Sequence, residues 1–563
     1  MELYKGKEYW DYPKIVEWCS LFSVEYREFV QQEVIGHTRE GRPILLLTLG
    51  KNTEHTPAMW LDAGTHASEW SGVMSALFSL SKWAEWYDTQ EGRQWFEHNT
   101  IYVVPCMSPD GFQALCDGRP FLRSSTRPPK DGVFREGFEA QDIDGDGQVQ
   151  LMRWRHPAGP YVIDEESDLG IRQRTLADDE SEACFVCQEG LFLLWDGVHW
   201  KNAPLKYGLD LNRNFPVRWA PFEMFGMDGG LYPLSEPESR CVVEAVQKRP
   251  NIAVGLTNHT YTGALLTQPY NADSPLAESD IDLMERLALE SVRGTDYRVM
   301  RVYPEFTYDP KQPVVGVWAD CLTTTFGIPA YTLELWDPFA WAGVKVKEPA
   351  AFFRKPQQSI VQALLRKAVQ DKGMLMWNPF QHPQLGAVEI GGIDYLRTIR
   401  NPPVQLLQKE CQRGFQVADN LRRSLPKINV RGMVEPIALK TYRLQIIFEN
   451  TGFLSSVSLR RAADISSAKG LRVSLTLSPN ICIIEGKEQQ DLGALEGWGD
   501  WQVGAAKNLV YPNLSSGSNR AVATWIVQGM GDVTIDWDAG RGGRGTETIL
   551  VNESPDTHQL RLW

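Results

Sequence analysis

No stretch of the 563 residues approaches ~18 uninterrupted apolar residues, which excludes a membrane-spanning helix. The N-terminus, MELYKGKEYWDYPKIVEWCS, lacks a basic segment followed by an apolar one, so no signal peptide is expected. Positive charge is in deficit. Lys and Arg number 57 against 71 Asp and Glu, and the net charge of −14 argues against nucleic acid or an anionic membrane as the main partner. Cysteine is sparse as well. The nine are an odd number scattered from Cys19 to Cys482, a pattern of reduced thiols rather than a disulfide framework. A cytoplasmic location is therefore expected, although a secreted chain trimmed of its leader would read the same. Internal repeats and low-complexity tracts are also missing.

What is present is an ordinary globular composition, 43% hydrophobic and 23% charged. Twenty Trp, 18 Tyr and 22 Phe suggest an aromatic-rich surface or groove. Residues 1–430 alternate strand-like and helix-like segments. RPILLLTLG, PAMWLDAG, TIYVVPCMS, NIAVGLTNH and PAYTLELW are short apolar runs bounded by Gly, Pro or Asn, as buried strands are. Between them, Val73, Leu77, Leu80 and Trp83 fall at the spacing of an amphipathic helix. Ser235 and Glu238 form a capping box, with Pro237 in the first turn of another helix. The expected fold is α/β: a mixed, mostly parallel sheet with helices on both faces. Residues ~128–207, rich in Asp, Glu, Gly and Pro, interrupt the rhythm as an insertion. From 431 to 563 short alternating runs such as YRLQIIFEN and AVATWIVQG predict a C-terminal all-β, sandwich-like domain.

DAGTHASEWSG places His66 and Glu69 three residues apart at the C-terminal end of the strand PAMWLDAG. In open α/β sheets that edge is where ligands bind. His37 and Glu40 share the spacing but precede their strand in a polar turn, and read as a solvated turn. A catalytic zinc usually takes three protein ligands, two close in sequence and one distant. His259, at the end of the strand in NIAVGLTNHTYTG, is the candidate for the third. Trp70, beside the ligand loop, reads as packing.

GTHASEW, SPDGF, LDLNRNFP, NHTYTG and YTLELWD occur in that order. Together they resemble the ordered motifs of the zinc metallocarboxypeptidases of the carboxypeptidase A type, over roughly residues 30–340. The resemblance implies one zinc on His66, Glu69 and His259, with Glu334 as general base. It implies that Arg123 polarises the scissile carbonyl, that Asn212 and Arg213 grip the terminal carboxylate of a peptide substrate, and that Tyr261 lines a subsite. The chemistry agrees: zinc lowers the pKa of bound water to ~7, a nearby carboxylate can take its proton, and a planar guanidinium suits bidentate capture of a carboxylate. One departure stands out. The family's mobile, carboxylate-capping tyrosine aligns with Gln312, so either a shifted Tyr308 takes that role or the contact is missing. The specificity-pocket residue lies among Trp318, Ala319 and Asp320.

In the insertion, Asp142, Asp144 and Asp146 followed by Gly147 have the spacing of a calcium loop. Position 12 is Arg153 rather than glutamate, and Glu165 or Glu166 is the candidate to complete the shell. Cys184 and Cys187 form a lone CxxC, read as two reduced thiols. DAGRGGRG reads as a glycine-rich loop rather than a phosphate cradle. The reading is a zinc-dependent carboxypeptidase. Its rivals are a zinc amidase acting on cell-wall or modified amino-acid substrates and a binding protein on an inactivated peptidase scaffold.

Overall fold

The computed structural model describes residues 1–51, 53–128, 134–164, 167, 169–224, 226–309, 312–500 and 518–552. Eight strands form the central sheet. From edge to edge they are Val30–His37, Pro43–Leu49, Thr100–Val104, Ala58–Ala63, Ile252–Thr260, Ala330–Leu335, Ala264–Thr267 and Arg298–Arg301. Four of the seven neighbouring pairs are parallel, and they include the central Ala58–Ala63, Ile252–Thr260 and Ala330–Leu335 strands. These strands are buried on both faces, which is why they read as continuous apolar runs. Side chains alternate between two cores. Leu45, Leu47, Met59 and Leu61 enter one, while Ile44, Leu46, Ala58 and Trp60 enter the other.

The helix Trp70–Tyr87 departs from the amphipathic expectation, being buried almost all round. One face lies on the sheet, and the helix Val404–Arg422 covers the other. Its seam residues are small accordingly. A Cβ on Gly414 would stand 2.1 Å from Ser75 Oγ. The capping box at Ser235 and Glu238 does not form. The helix Pro237–Gln247 is capped at Glu236 with no side-chain bond, and Ser235 Oγ donates to Glu236 Oε1. Glu238 is fully buried, and burial pushes its carboxyl up to about 7.

The insertion does not fold alone. Its strands Leu151–Arg155, Ala183–Gln188, Tyr161–Ile163 and Ile171–Gln173 join the hairpin Met374–His382 and Gly386–Ile393 in one six-stranded sheet. Cys184 and Cys187 lie three apart on one strand, and both are free thiols.

Residues 428–551 supply two four-stranded antiparallel sheets whose inward residues share a separate core around Trp525 and Phe448. DAGRGGRG is the latch of this region. Arg541 is 2% exposed, and its guanidinium donates to the carbonyls of Phe326, Gly327 and Val457. The first two close the C-terminus of the helix Trp318–Phe326, where unpaired carbonyls and the helix dipole favour a cation. Among the described residues no helix is long and apolar enough to cross a membrane.

Arg541→Met keeps the stem and strips three buried carbonyls of their donor. It is expected to lower stability by about 2–4 kcal/mol, read as a shift of the denaturant midpoint. An unshifted midpoint would show that the latch carries no stability.

Candidate metal centre

The site sits at the C-terminal edge of the three central parallel strands. Gly64, at φ +69°, turns the chain out of the strand Ala58–Ala63, and a Cβ there would press on Cys106 and Val73 at 3.0–3.2 Å. That turn delivers His66 and Glu69, the latter as N-cap of the helix Trp70–Tyr87. His259 ends its own strand and pairs in parallel register with Glu334 on the next, so both side chains leave the same face of the sheet.

His66, Glu69 and His259 are each at most 3% exposed, and their ligand atoms lie within 4.8 Å of one another. His66 Nδ1 is 2.8 Å from Glu69 Oε1, His259 Nδ1 is 2.8 Å from Glu69 Oε2, and the two Nδ1 atoms are 3.0 Å apart. Two imidazole nitrogens facing each other over a carboxylate in a dry pocket suit a cation. Two imidazoles and one carboxylate are a catalytic zinc set. The far nitrogen of His66 lies 3.2 Å from Asp210 Oδ1, the carboxylate support that orients ligating histidines. The residues therefore fit zinc. His37 and Glu40 make no such group. His37 is exposed, and Glu40 bonds Thr126 and Arg42.

Burial pushes the Glu69 carboxyl up, but the two imidazoles and the Arg400 guanidinium outweigh it and hold the group well below the carboxylate range. Asp210 is also buried and also held low, by Arg123, Arg213 and His66. Glu334 shows the opposite balance. Burial, then repulsion from Glu69, raises it to about 7. Two neighbouring glutamates are thus shifted in opposite directions, Glu69 down through its imidazole and guanidinium partners and Glu334 up through burial and the charge of Glu69.

Arg123 bridges the centre, with Nη1 3.3 Å from Glu69 and Nε 3.5 Å from Asp210. Asp210, Asn212 and Arg213 share one short turn. Asn212 Oδ1 accepts from the Trp318 N–H at 2.8 Å, which fixes the amide and leaves its NH₂ available. The Arg213 guanidinium lies 5.0 Å over Phe222 and has no ion pair among the described residues. Gly316, at φ +62°, lets the loop pass that turn, since a Cβ would meet the Arg213 carbonyl at 2.3 Å. Gln312 is exposed, whereas Tyr308 is half-buried within the electrostatic reach of Arg123, Arg213 and Glu334. Asp320 is buried against Gln268, and burial raises it to about 6.

Three site residues escaped the sequence reading: Asp210, Arg400 and Asn401. Asp210 stands two residues before Asn212, and nothing in its spacing marks it. Arg400 follows the residues that any motif covered. Its Nη2 bonds Glu69 Oε1, and its guanidinium lies 5.1 Å over Tyr261. Asn401 accepts from Ser71 N and donates to Ser68 O, both at 2.9 Å, on either side of Glu69.

Asp142, Asp144 and Asp146 form the other acidic group that could hold an ion among the described residues. Their carboxylates accept the N–H groups of Gly145, Gly147, Asp146 and Gln148 at 2.7–3.1 Å, so the loop satisfies itself in part. Arg153 instead bonds Glu389. Glu165 and Glu166 lie outside the described residues.

Residues 15–151 and 177–362 match the family described as zinc carboxypeptidase, and residues 430–550 match a domain of unknown function. Bovine (Bos taurus) carboxypeptidase O is 22% identical over 312 residues, 53% of this chain and 64% of the relative. Human (Homo sapiens) carboxypeptidase B is 30% identical over 177 residues, 31% of this chain and 42% of the relative. The chain thus spans less than two thirds of these relatives' lengths. A crystal structure of thrombin-activatable fibrinolysis inhibitor is similar at a TM-score of 0.39 and 18% identity, covering 65% of this chain and 75% of that one.

Asp210→Ala should leave the ligand set in place but weaken zinc binding about 10- to 100-fold, measured by competition with a chelating dye. Unchanged affinity would remove Asp210 from the support of His66.

Proposed function

The chain belongs to the zinc carboxypeptidase family, and from that membership we propose that it hydrolyses the C-terminal peptide bond of peptides with a free carboxylate. One observation carries the reading. The turn that holds Asn212 and Arg213 also holds Asp210, which bonds His66 and Arg123. A reader of terminal carboxylates is thereby built into the same rigid unit as the metal centre.

His66, Glu69 and His259 would hold zinc, which when bound polarises a carbonyl and acidifies water. Arg213 offers a planar fork, and Asn212 an NH₂, to the terminal carboxylate. Tyr308 would be the residue to cap that carboxylate, since Gln312, at the position of the family's tyrosine, has no phenol to offer. Arg123 faces the position of the scissile carbonyl and stabilises the charge that develops on its oxygen. Glu334 takes a proton from the attacking water and returns it to the leaving amine. A carboxyl raised toward neutrality suits that exchange better than an ordinary one. Glu69 cannot share the task, because it belongs to the ligand set and its neighbours, Arg400 among them, hold its carboxyl low.

Glu334→Gln is expected to retain zinc and fold while kcat falls on the order of 10²-fold or more; near-normal turnover would exclude Glu334 as the base. Matched free-acid and amidated peptides test the terminus reader. An amide leaves the half-buried Arg213 partly unpaired, at a cost of roughly 2–5 kcal/mol. At about 1.4 kcal/mol per decade, kcat/KM should drop roughly 30- to 3,000-fold. Arg213→Ala should abolish the difference. Equal cleavage of both peptides by the wild type would favour the amidase reading instead.

Calcium at Asp142, Asp144 and Asp146 is a separate proposal, resting on residue type and spacing. Calcium should raise the melting temperature of the wild type but not that of Asp142→Ala/Asp144→Ala. An equal response of both proteins would place the effect elsewhere.

A further inference from the structure

The geometry of the centre locates the side chain of the residue that would be released. A C-terminal residue gripped at its carboxylate by Asn212 and Arg213 has its amide nitrogen beside Glu334, the group that returns the proton. Its side chain therefore sits between the Asn212–Arg213 turn and the strand Ala330–Leu335. Two elements floor that space. Thr332 stands two residues before Glu334 and leaves the same face of the strand. The first turn of the helix Trp318–Phe326 closes the other side, since the Trp318 N–H donates to Asn212 Oδ1 at 2.8 Å.

The space is already occupied. The strand Ala264–Thr267 runs antiparallel beside Ala330–Leu335 and hands the chain to Tyr270. The Tyr270 hydroxyl lies 3.3 Å from Thr332 Oγ1, and its ring belongs to the same apolar cluster as Leu266 and Val317. The phenol is within the electrostatic reach of Arg213 and Glu334, the two anchors of the released residue. Tyr270 is 4% exposed and Thr332 5%, while Trp318 and Ala319 have no exposed surface. A roomy pocket between these side chains would leave exposed surface on its walls, and the walls are instead in contact.

The plug is also fixed. The Tyr270 N–H donates to Gln268 Oε1 at 3.1 Å, and Gln268 Nε2 donates to Asp320 Oδ1 at 2.8 Å. On the other side, Asn271 Nδ2 donates to the Val314 carbonyl at 3.0 Å and Asn271 Oδ1 accepts from the Val314 N–H at 2.8 Å. The three positions that the sequence offered for specificity are otherwise engaged. Trp318 Nε1 donates to Asp62 at 2.6 Å and its ring stacks on Phe215, Ala319 is sealed, and Asp320 is held by Gln268.

We propose that Tyr270 is the specificity-determining residue for the released amino acid, and that it restricts that residue to a small side chain, as in glycine, alanine or serine. The proposal rests on the carboxypeptidase reading and adds the substrate class to it. A leucine or phenylalanine at the C-terminus would have to displace a ring that is bonded at its hydroxyl and tied on both sides through its neighbours. Forcing extra volume into such packing is unfavourable, whereas a methyl or hydroxymethyl group needs little room.

The test uses the zinc-loaded full-length chain and peptides that differ only in a C-terminal Ala, Ser, Leu or Phe. For the wild type, kcat/KM for the Ala and Ser peptides should exceed that for the Leu and Phe peptides by roughly 10- to 100-fold, the range that overpacking produces. Tyr270→Gly removes the plug and should raise the Phe peptide at least about 10-fold relative to the Ala peptide. Tyr270→Phe keeps the ring and should keep the order of preference, which separates bulk from the hydroxyl. Tyr270→Leu removes less volume and serves if Tyr270→Gly fails to fold; it should raise the Leu peptide relative to the Ala peptide. A variant that is merely damaged loses all four peptides alike and does not reorder them, and that result would overturn the proposal. Trimming by the wild type that is indifferent to the last side chain, or that favours Leu or Phe, defeats the proposal and leaves the carboxypeptidase reading standing. Absence of trimming from every peptide defeats the reading and the proposal with it.

Discussion

Two imidazole nitrogens 3.0 Å apart, each 2.8 Å from one carboxylate and with all three side chains nearly dry, form a pocket suited to a cation. Much of the fold serves that pocket. The parallel strands bring His259 and Glu334 into register, and Gly64 turns His66 and Glu69 toward them. Asp210, Arg123 and Arg400 then surround the group with alternating charge. The same field that keeps Glu69 ionised leaves Glu334 near neutrality, so the division between ligand and base follows from placement rather than residue type.

The second theme is reinforcement from a distance. Arg400 and Asn401 come from a turn some 330 residues after Glu69, yet they bond the ligand and the backbone on both sides of it. Glu410, on the covering helix, accepts from Tyr297 and from the N–H of Trp336, two residues past Glu334. Arg541 ties the C-terminal sheets to the helix whose first turn holds Asn212 in place. The insertion and the C-terminal portion of the chain thus act as walls and braces on a sheet whose edge would otherwise be open.

How much of this was legible in the sequence depended on range. Strand ends bearing His66, Glu69, His259 and Glu334 could be read, because apolar runs bounded by Gly and Asn mark buried strands and the ligand spacing is local. The helix Trp70–Tyr87 was misread as amphipathic, because its second apolar partner, the helix Val404–Arg422, lies far along the chain. Serines at 75, 79 and 81 look polar in sequence but are small enough to be buried, Ser75 against Gly414 of that helix and Ser81 under the Tyr4 N–H. The hairpin Met374–Ile393 carries no mark of its pairing with the insertion, and a lone arginine such as Arg400 has no spacing to betray it. Ser235 and Glu238 show the converse error. A local capping pattern was overridden when the glutamate became fully buried.

The central claim is that this constellation removes residues singly from the free C-terminus. Incubating the zinc-loaded protein with a defined mixture of peptides, and reading the products by mass spectrometry over time, tests it most directly. The account predicts ladders that shorten one residue at a time from the C-terminus, with N-termini intact and no internal fragments. Internal cleavage, or an unchanged mixture under conditions where zinc is bound, would contradict it.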